Sequence, residues 1–132
     1  MNNEQEKTGI KIAMPSSDSL NSLDGLVSPH FGEAPTFTIV SLTRNKINQI
    51  EGMANPECSC FGLMDSLAKR GINVLLVTNI GARPFMAAQS MGMDVRKIEG
   101  NVTKKRALES YIKGETASFM LNNVCHGGGC HQ

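Results

Sequence analysis

One short segment constrains the fold of this 132-residue chain more than any other. Residues 74–77 have the sequence Val-Leu-Leu-Val and are bounded by the polar residues Asn73 and Thr78. A strand that is apolar at every position has both of its faces covered, as central strands of parallel sheets do. The segment therefore predicts an α/β domain in which helices pack on the faces of a sheet.

Four further segments predict the remaining strands. Alternating or β-branched residues mark residues 10–14, 36–42, 47–53 and 93–98. The first three strands are joined without helices, and a hairpin turn at residues 43–46 joins the second to the third. The second strand should therefore be antiparallel to both of its neighbours. The third is the most polar and should lie near an edge. The later strands follow helices and should be parallel to the first. We therefore expect a mixed five-stranded sheet.

Three helices are predicted from apolar residues at helical spacing. The first and second cover residues 61–70 and 85–91, and the third runs to Ile112 from a cap at Asn101 or Thr103. A glycine follows each helix and suits its C-terminal cap. This pattern assigns residues 10–114 to one α/β domain, residues 1–9 to a disordered leader and residues 115–132 to a flexible tail rich in Cys, His and Gly.

The charge balance argues against polyanionic partners. With 13 basic and 12 acidic residues the net charge is +1, which creates no field to attract nucleic acid or an anionic membrane. The basic run of residues 104–106 is expected on the solvated face of the third helix. No apolar stretch has the length of a membrane span, and residues 1–9 lack the apolar segment of a signal peptide. We therefore expect a cytoplasmic protein with neither nucleic-acid nor membrane partners.

The four cysteines form two close pairs, one before the first helix and one flanking three glycines in the tail. Cytosolic thiols are normally reduced, so metal or redox chemistry is expected before structural disulfides. The helix that begins after Cys60 favours a thiolate or an anionic cluster at its N-terminus. We expect the fold to bring both pairs to one site. The candidate metal ligands are Cys58, Cys60, Cys125, His126, Cys130 and His131.

The spacing of these ligands does not identify the metal. Neither the Cys-x2-Cys pattern of zinc sites nor the full ferredoxin spacing is present. The ligand types are more informative, because thiolates with imidazoles suit zinc, copper(I) or iron–sulfur species.

Two loops carry further candidate binding residues. One is the long polar loop before the second strand, where a glycine-containing turn favours an exposed imidazole; a surface or capping histidine is the alternative. The other follows the central strand, where open α/β sheets commonly bind ligands and the second helix begins; a tight turn is the alternative. The candidate cofactor-binding residues are His30, Phe31, Gly32, Asn79, Gly81 and Arg83.

Several segments together resemble the dinitrogenase iron–molybdenum cofactor biosynthesis family. They are residues 10–15, 27–37, 71–77, 81–84 and 91–95, within about residues 9–114, and the most specific is the His-Phe-Gly-x-Ala stretch beginning at His30. The resemblance implies a ribonuclease-H-like three-layer fold. Members of the family include small carriers of nitrogenase cofactor or its precursors, and proteins that hold molybdenum–copper sulfide clusters without covalent ligation. The resemblance implies a cluster contact for His30. The two cysteine pairs resemble a stand-alone branch and favour another metal–sulfur species.

These observations predict a carrier protein and not an enzyme. The expected cargo is an iron–sulfur or mixed metal–sulfide cluster, exchanged with cluster donor and acceptor proteins by a monomer or weak dimer. A thiol–disulfide redox protein and a zinc-binding module are the alternatives. The first strand carries no carboxylate, so two-metal phosphodiester chemistry is not expected.

Overall fold

A six-stranded mixed sheet forms the centre of the computed structural model, which describes residues 9–18, 22–55 and 60–119. The strands are β1 (Gly9–Ser16), β2 (Thr36–Thr43), β3 (Lys46–Ala54), β4 (Val74–Val77), β5 (Asp94–Lys97) and β6 (Ala117–Ser118). Their spatial order is β3-β2-β1-β4-β5-β6, so the apolar strand β4 is central and the polar strand β3 lies at an edge, as predicted.

The strand directions follow the prediction from the connections. β2 is antiparallel to both β1 and β3, whereas β4 is parallel to β1 and to β5. Arg44 and Asn45 form the turn between β2 and β3 with φ angles of 55° and 67°. Two consecutive positive φ angles characterise the type I′ turn, whose twist matches that of the flanking strands.

The prediction of five strands is wrong, because a sixth lies at the second edge. β6 contains two residues, which pair antiparallel with Arg96 and Lys97 of β5. The backbone N–H of Phe119 then donates to the carbonyl of Val95 at 2.9 Å, and its buried ring lies 5.9 Å from the ring of Phe85. Sheet and core therefore extend past residue 114, the predicted end of the domain.

Helices cover both faces of the sheet, which confirms the α/β class. α1 (Cys60–Lys69) and α2 (Ala82–Ser90) pack on one face, and α3 (Lys104–Ile112) packs on the other. A short 3-10 helix, Phe31–Glu33, lies in the loop between β1 and β2. None of the helices in the described part of the chain has the length and apolar character needed to span a bilayer.

Each face of the sheet has its own hydrophobic cluster. Odd-numbered and even-numbered positions of β4 point to opposite faces, as strand geometry requires. Leu75 and Val77 pack with α1 and α2, whereas Val74 and Leu76 pack with α3. All four side chains are buried, which explains the continuous apolar run in the sequence.

The basic run at the start of α3 departs from its prediction. Lys105 and Arg106 are exposed, but the side chain of Lys104 is completely buried. Thr103 is the N-cap of the helix, and its Oγ1 accepts a hydrogen bond from the backbone N–H of Arg106 at 3.1 Å. The solvated face predicted for residues 104–106 is therefore wrong for the first of them, because that side chain has polar partners inside the domain.

Candidate functional site

The topology gathers several loops at one edge of the sheet. The parallel strands β1, β4 and β5 end there at Ser16, Val77 and Lys97, and we call this the carboxyl edge. β2 begins and β3 ends at the same edge, because Thr36 pairs with both Ser16 and Ala54. The β1–β2 loop, the β3–α1 connection and the β4–α2 loop therefore all leave the sheet at the carboxyl edge.

These loops carry the predicted binding residues. His30 lies in the β1–β2 loop, Asn79 and Gly81 lie in the β4–α2 loop, and Arg83 lies in the first turn of α2. α1 also begins at this edge, with Cys60 as its first residue. The fold thus brings the two predicted loops and the start of the first helix to one end of the molecule.

The turn around His30 exposes the imidazole, while the next side chain in the sequence is buried. The backbone N–H of His30 donates to Ser28 Oγ at 3.2 Å, and His30 is the N-cap of the 3-10 helix. Phe31 is only 5% exposed, and its ring meets the ring of Phe37 edge to face with centroids 5.2 Å apart. Phe31, predicted as a binding residue, is therefore placed in the core, where it fixes the turn that exposes His30.

Asn55 holds this turn to the end of β3. Its Nδ2 donates to the carbonyls of Gly32 at 3.1 Å and Ala34 at 2.8 Å, and its backbone N–H donates to the carbonyl of Pro35 at 3.1 Å. Sequence reasoning missed this residue. An Asn beside a Pro indicates a turn, but its contacts with residues more than twenty positions away are visible only in the fold.

The N-terminus of α2 has the electrostatic character of an anion site. Gly81 is the N-cap and supplies no side-chain hydrogen bond, and the first turn contains no acidic residue. The partial positive charge of a helix N-terminus favours a nearby anion. Asn79 and Arg83 are exposed beside it. In α3, by contrast, the backbone N–H groups of the first turn already donate to the β1–β2 loop and to Thr103.

A second cation lies at the same edge. Lys97 Nζ donates to the carbonyl of Thr78 at 3.1 Å and lies 5.4 Å from the centroid of the Phe119 ring. Thr78 follows β4 directly, and its buried Oγ1 has no hydrogen-bond partner among the described residues. Lys97 was not predicted as a site residue, because the sequence alone does not place the end of β5 beside the end of β4.

The predicted metal ligands are only partly within the described chain. Cys58, Cys125, His126, Cys130 and His131 lie outside the described residues, and for Cys60 only its position at the start of α1 is described. Within the ranges 9–18, 22–55 and 60–119, no three His, Cys, Asp or Glu side chains are arranged to hold a metal ion.

Within the described part of the chain, the exposed candidates lie on the molecular surface. One cavity of about 150 Å³ lies along α3 and the segment that follows β5, and another of about 420 Å³ lies between β3 and α1. Neither is lined by the exposed candidates His30, Asn79 and Arg83. A ligand held by these residues would therefore lie on the carboxyl edge.

Comparison with known proteins identifies similar sequences and folds. The family described as dinitrogenase iron–molybdenum cofactor matches residues 9–114. An uncharacterized protein of Methanocaldococcus jannaschii is 28% identical over 116 residues, which cover 83% of this chain and 92% of the relative.

Solved structures have the same fold. The apo form of the orange protein from Desulfovibrio gigas superposes with a TM-score of 0.72 at 27% identity, covering 83% of this chain and 92% of that one. A candidate NifB protein from Thermotoga superposes with a TM-score of 0.72 at 23% identity, covering 90% and 99%. The latter similarity bears on the fold alone.

Proposed function

Because the chain belongs to the dinitrogenase iron–molybdenum cofactor family, we propose that it is a non-catalytic carrier of a metal–sulfur cluster. The cargo is an anionic iron–sulfur or mixed metal–sulfide cluster, which the protein receives from a donor protein and passes to an acceptor. The observation that carries the proposal is the convergence of the His30 turn and the N-terminus of α2 at the carboxyl edge. Family membership also supports a ribonuclease-H-like assignment for this α/β domain.

The electrostatics of the carboxyl edge suit an anionic cargo. A helix N-terminus stabilises a nearby negative charge by about 0.3–1 kcal/mol at exposed positions. Arg83 and Lys97 add two cations beside the N-terminus of α2. Glu33, exposed in the 3-10 helix, is an opposing charge in the same region. Glu99, exposed after β5, is a second opposing charge, so the preference for an anion depends on the α2 N-terminus with Arg83 and Lys97 and not on the net charge of the edge.

The ligand chemistry divides into two parts. The exposed imidazole of His30 supplies a contact to metal or sulfide on the described surface. The two cysteine pairs supply thiolates, the ligand type that iron–sulfur species prefer. Cys60 begins α1, where a thiolate gains from the helix N-terminus. In this proposal the cysteines hold the cluster and the carboxyl edge neutralises its charge.

An open site fits a carrier better than an enclosed one. A carrier must bind its cargo tightly enough to transport it and still allow an acceptor protein to reach it. Among the described residues of the carboxyl edge, His30, Asn79 and Arg83 are exposed and accessible to an acceptor protein.

Anaerobic reconstitution with iron and sulfide tests the proposal. We expect labile iron and sulfide to remain with the protein after desalting, with broad visible absorption that bleaches in air. On addition of an apo-acceptor ferredoxin, the absorption should pass to the acceptor. A protein that retains only stoichiometric zinc, with no sulfide and no colour, would contradict the proposal and favour the zinc or thiol-redox alternatives.

A further inference from the structure

Lys104 is a buried charge that the candidate site does not explain. Its side chain is 0% exposed, and its Nζ donates to Ser16 Oγ at 3.0 Å and to Thr38 Oγ1 at 3.1 Å. The carboxylate of Asp18 lies 3.7 Å away. An ionised side chain is costly to bury, and hydrogen bonds with an opposite charge are needed to offset that cost. A lysine that served only solubility would be exposed, so the burial of Lys104 calls for a structural reason.

The partners of Lys104 show what it connects. Ser16 is the last residue of β1, Asp18 opens the β1–β2 loop, and Thr38 belongs to β2. Ser16 Oγ also donates to the backbone carbonyl of Asp18 at 2.8 Å. Thr36 Oγ1 donates to the same carbonyl at 2.7 Å. One ammonium group on α3 therefore joins the two strands that flank the loop and the first residues of the loop itself.

The first turn of α3 fastens the same loop through its backbone. The N–H groups of Lys104 and Lys105 donate to the carbonyls of Gly25 and Leu23, both at 2.9 Å. Gly25 also packs so closely on Asp18 that a Cβ at this position would collide with the Asp18 carboxylate. The helix N-terminus and the buried ammonium thus bind opposite parts of one loop and hold them together.

The fastened segment leads directly to the His30 turn. The N–H of Val27 donates to the carbonyl of Val102 at 3.1 Å, and the N–H of Ser28 donates to the carbonyl of Pro15 at 2.7 Å. Ser28 Oγ then accepts the hydrogen bond from His30. A continuous path of short contacts therefore connects the start of α3, through the β1–β2 loop, to the backbone of His30.

We propose that Lys104 is the positioning residue of the His30 turn: its ammonium locks the β1–β2 loop so that the imidazole faces the cargo at the carboxyl edge. The inference rests on the proposed function only for the identity of the cargo. The inference states that the β1–β2 loop loses its fixed position when the Lys104 ammonium loses its hydrogen-bond partners. Burial lowers the pKa of Lys104, and Asp18 opposes that shift, so the ammonium form depends on its polar partners inside the domain.

Thr38 provides a matched pair of variants that separates hydrogen bonding from packing. Thr38→Val keeps the side-chain volume but removes the hydroxyl that accepts from Lys104, whereas Thr38→Ser keeps the hydroxyl and removes a methyl group. Thr38 is 1% exposed, so both substitutions change the packing of the core. If Lys104 acts through its hydrogen bonds, Thr38→Val and Lys104→Met should loosen the loop and Thr38→Ser should not. If only packing matters, the order of the two Thr38 variants should reverse.

Amide hydrogen exchange of the apo-protein measures the loosening without any cluster. We expect Thr38→Val to raise the exchange rates of Val27 and Ser28 by roughly tenfold, while the amides of β4 report global stability and change less. Release of a reconstituted iron–sulfur cluster should accelerate in the same variants. Leu42→Ala, a core truncation toward the opposite end of β2, serves as the control for general destabilisation.

The outcomes distinguish this inference from the proposed function. Unchanged exchange at Val27 and Ser28 in Lys104→Met and Thr38→Val would overturn the positioning role, as would an equal effect of Thr38→Ser. Cluster release that accelerates equally in Leu42→Ala would also overturn it. If the wild-type protein binds no cluster, the proposed carrier function fails, and the exchange experiment still decides whether Lys104 fixes the turn.

Discussion

At the scale of single residues, His30 combines exposure with a fixed backbone. Its N–H is bound to Ser28 Oγ, and the next residue, Phe31, is locked in the core. The imidazole can therefore contact a cargo without a large ordering cost, because the backbone that carries it is already in place. This arrangement makes His30 a sensitive test of the carboxyl edge.

Replacing His30 with Ala should speed cluster loss without unfolding the domain. Loss of one contact to a charged cargo, about 1.4 kcal/mol, corresponds to roughly a tenfold faster release. Because the side chain is exposed, the free energy of unfolding should change by no more than about 0.5 kcal/mol. The decay of visible absorption after transfer to a chelator gives the release rate. Lys46→Ala, exposed at the far end of the β2–β3 hairpin, is the control and should release at the wild-type rate.

Lys104 gives the stability of the protein a pH dependence of known sign. Burial lowers its pKa in the folded state, with Asp18 partly opposing the shift. Between this lowered pKa and the ordinary value of 10.5, the unfolded chain binds more protons than the folded one at this residue. The contribution of Lys104 to the free energy of unfolding must therefore rise with pH in that window.

Urea unfolding of wild type and Lys104→Met over this pH range checks the sign. The wild-type free energy of unfolding minus that of the variant should increase as the pH rises toward 10.5, because other titrating groups cancel in the difference. Lys105→Met, an exposed neighbour, controls for the loss of one lysine charge from this helix turn. A difference for Lys104→Met that does not change with pH would mean that burial does not perturb this amine.

Local residue patterns did not predict which side chains are buried. The pattern around His30 left two possibilities, a binding imidazole or a surface or capping histidine, and the observed His30 is exposed and is an N-cap, so its role in binding stays a prediction. The same pattern placed Phe31 with it as a binding residue, but Phe31 is buried. The position of Lys104 was not predictable from its basic neighbours, because its partners Ser16 and Thr38 are 88 and 66 positions away in the sequence. Such long-range polar contacts leave no local periodicity.

At the scale of elements, the two helix N-termini next to the parallel strands have different roles. The start of α3 is occupied by the β1–β2 loop and by the cap residue Thr103. The start of α2 has a glycine cap, no acidic residue in its first turn and an exposed arginine. The first is a structural anchor, and the second is the end that fits an anionic cargo in the proposed function.

Charge changes on either side of this edge should have opposite effects on cluster affinity. Arg83→Gln removes a cation beside the α2 N-terminus and should weaken binding by about two- to fivefold, whereas Glu33→Gln removes an opposing charge and should strengthen it. Both effects should shrink as salt concentration rises. Arg44→Gln, exposed in the β2–β3 turn at the opposite edge of the sheet, is the matched control. Competition against a metal chelator at low and high salt gives the relative affinities, and equal effects of all three variants would contradict this placement of the site.

The elements themselves were predictable where local chemistry determines them. The hairpin turn at residues 43–46, the glycines with positive φ after all three helices, and a cap at Asn101 or Thr103 were predicted from preferences within a few residues, and Thr103 is the cap that forms. β6 was not predictable, since its two residues are both exposed and form no alternating pattern. Its place depends on the free edge of β5, which is a property of the finished sheet.

At the scale of the whole molecule, two apolar clusters, one on each face of the sheet, hold the described strands and helices together. Neither of the two core clusters among the described residues contains a cysteine or histidine. A chain of this length can bury roughly two-thirds of its unfolded surface without a metal. The fold and the cargo site are therefore expected to be separable.

Removing metal should leave the secondary structure intact. We expect the far-ultraviolet circular dichroism spectrum to be the same before and after chelation, because strands and helices are held by apolar packing and backbone hydrogen bonds. Phe85→Ala, which truncates a buried ring of α2, is the positive control and should lower stability by about 3–5 kcal/mol. Loss of most of the helical signal on chelation alone would show that the metal is structural, and the carrier proposal would then be wrong.

The last prediction concerns the two cysteine pairs, which lie far apart in the sequence. Neither pair alone provides four thiolates, and the connection that carries Cys58 starts at the carboxyl edge after Asn55. If the tail pair completes the same site, Cys58→Ser with Cys60→Ser should lower bound iron and sulfide about as much as Cys125→Ser with Cys130→Ser, and the quadruple variant should be little worse than either. Independent sites would instead give additive losses.

Metal and sulfide analysis of anaerobically reconstituted variants measures these losses, with His30→Ala beside them to separate cluster content from release rate. Full retention of cluster after either double replacement would assign the cargo to one pair alone.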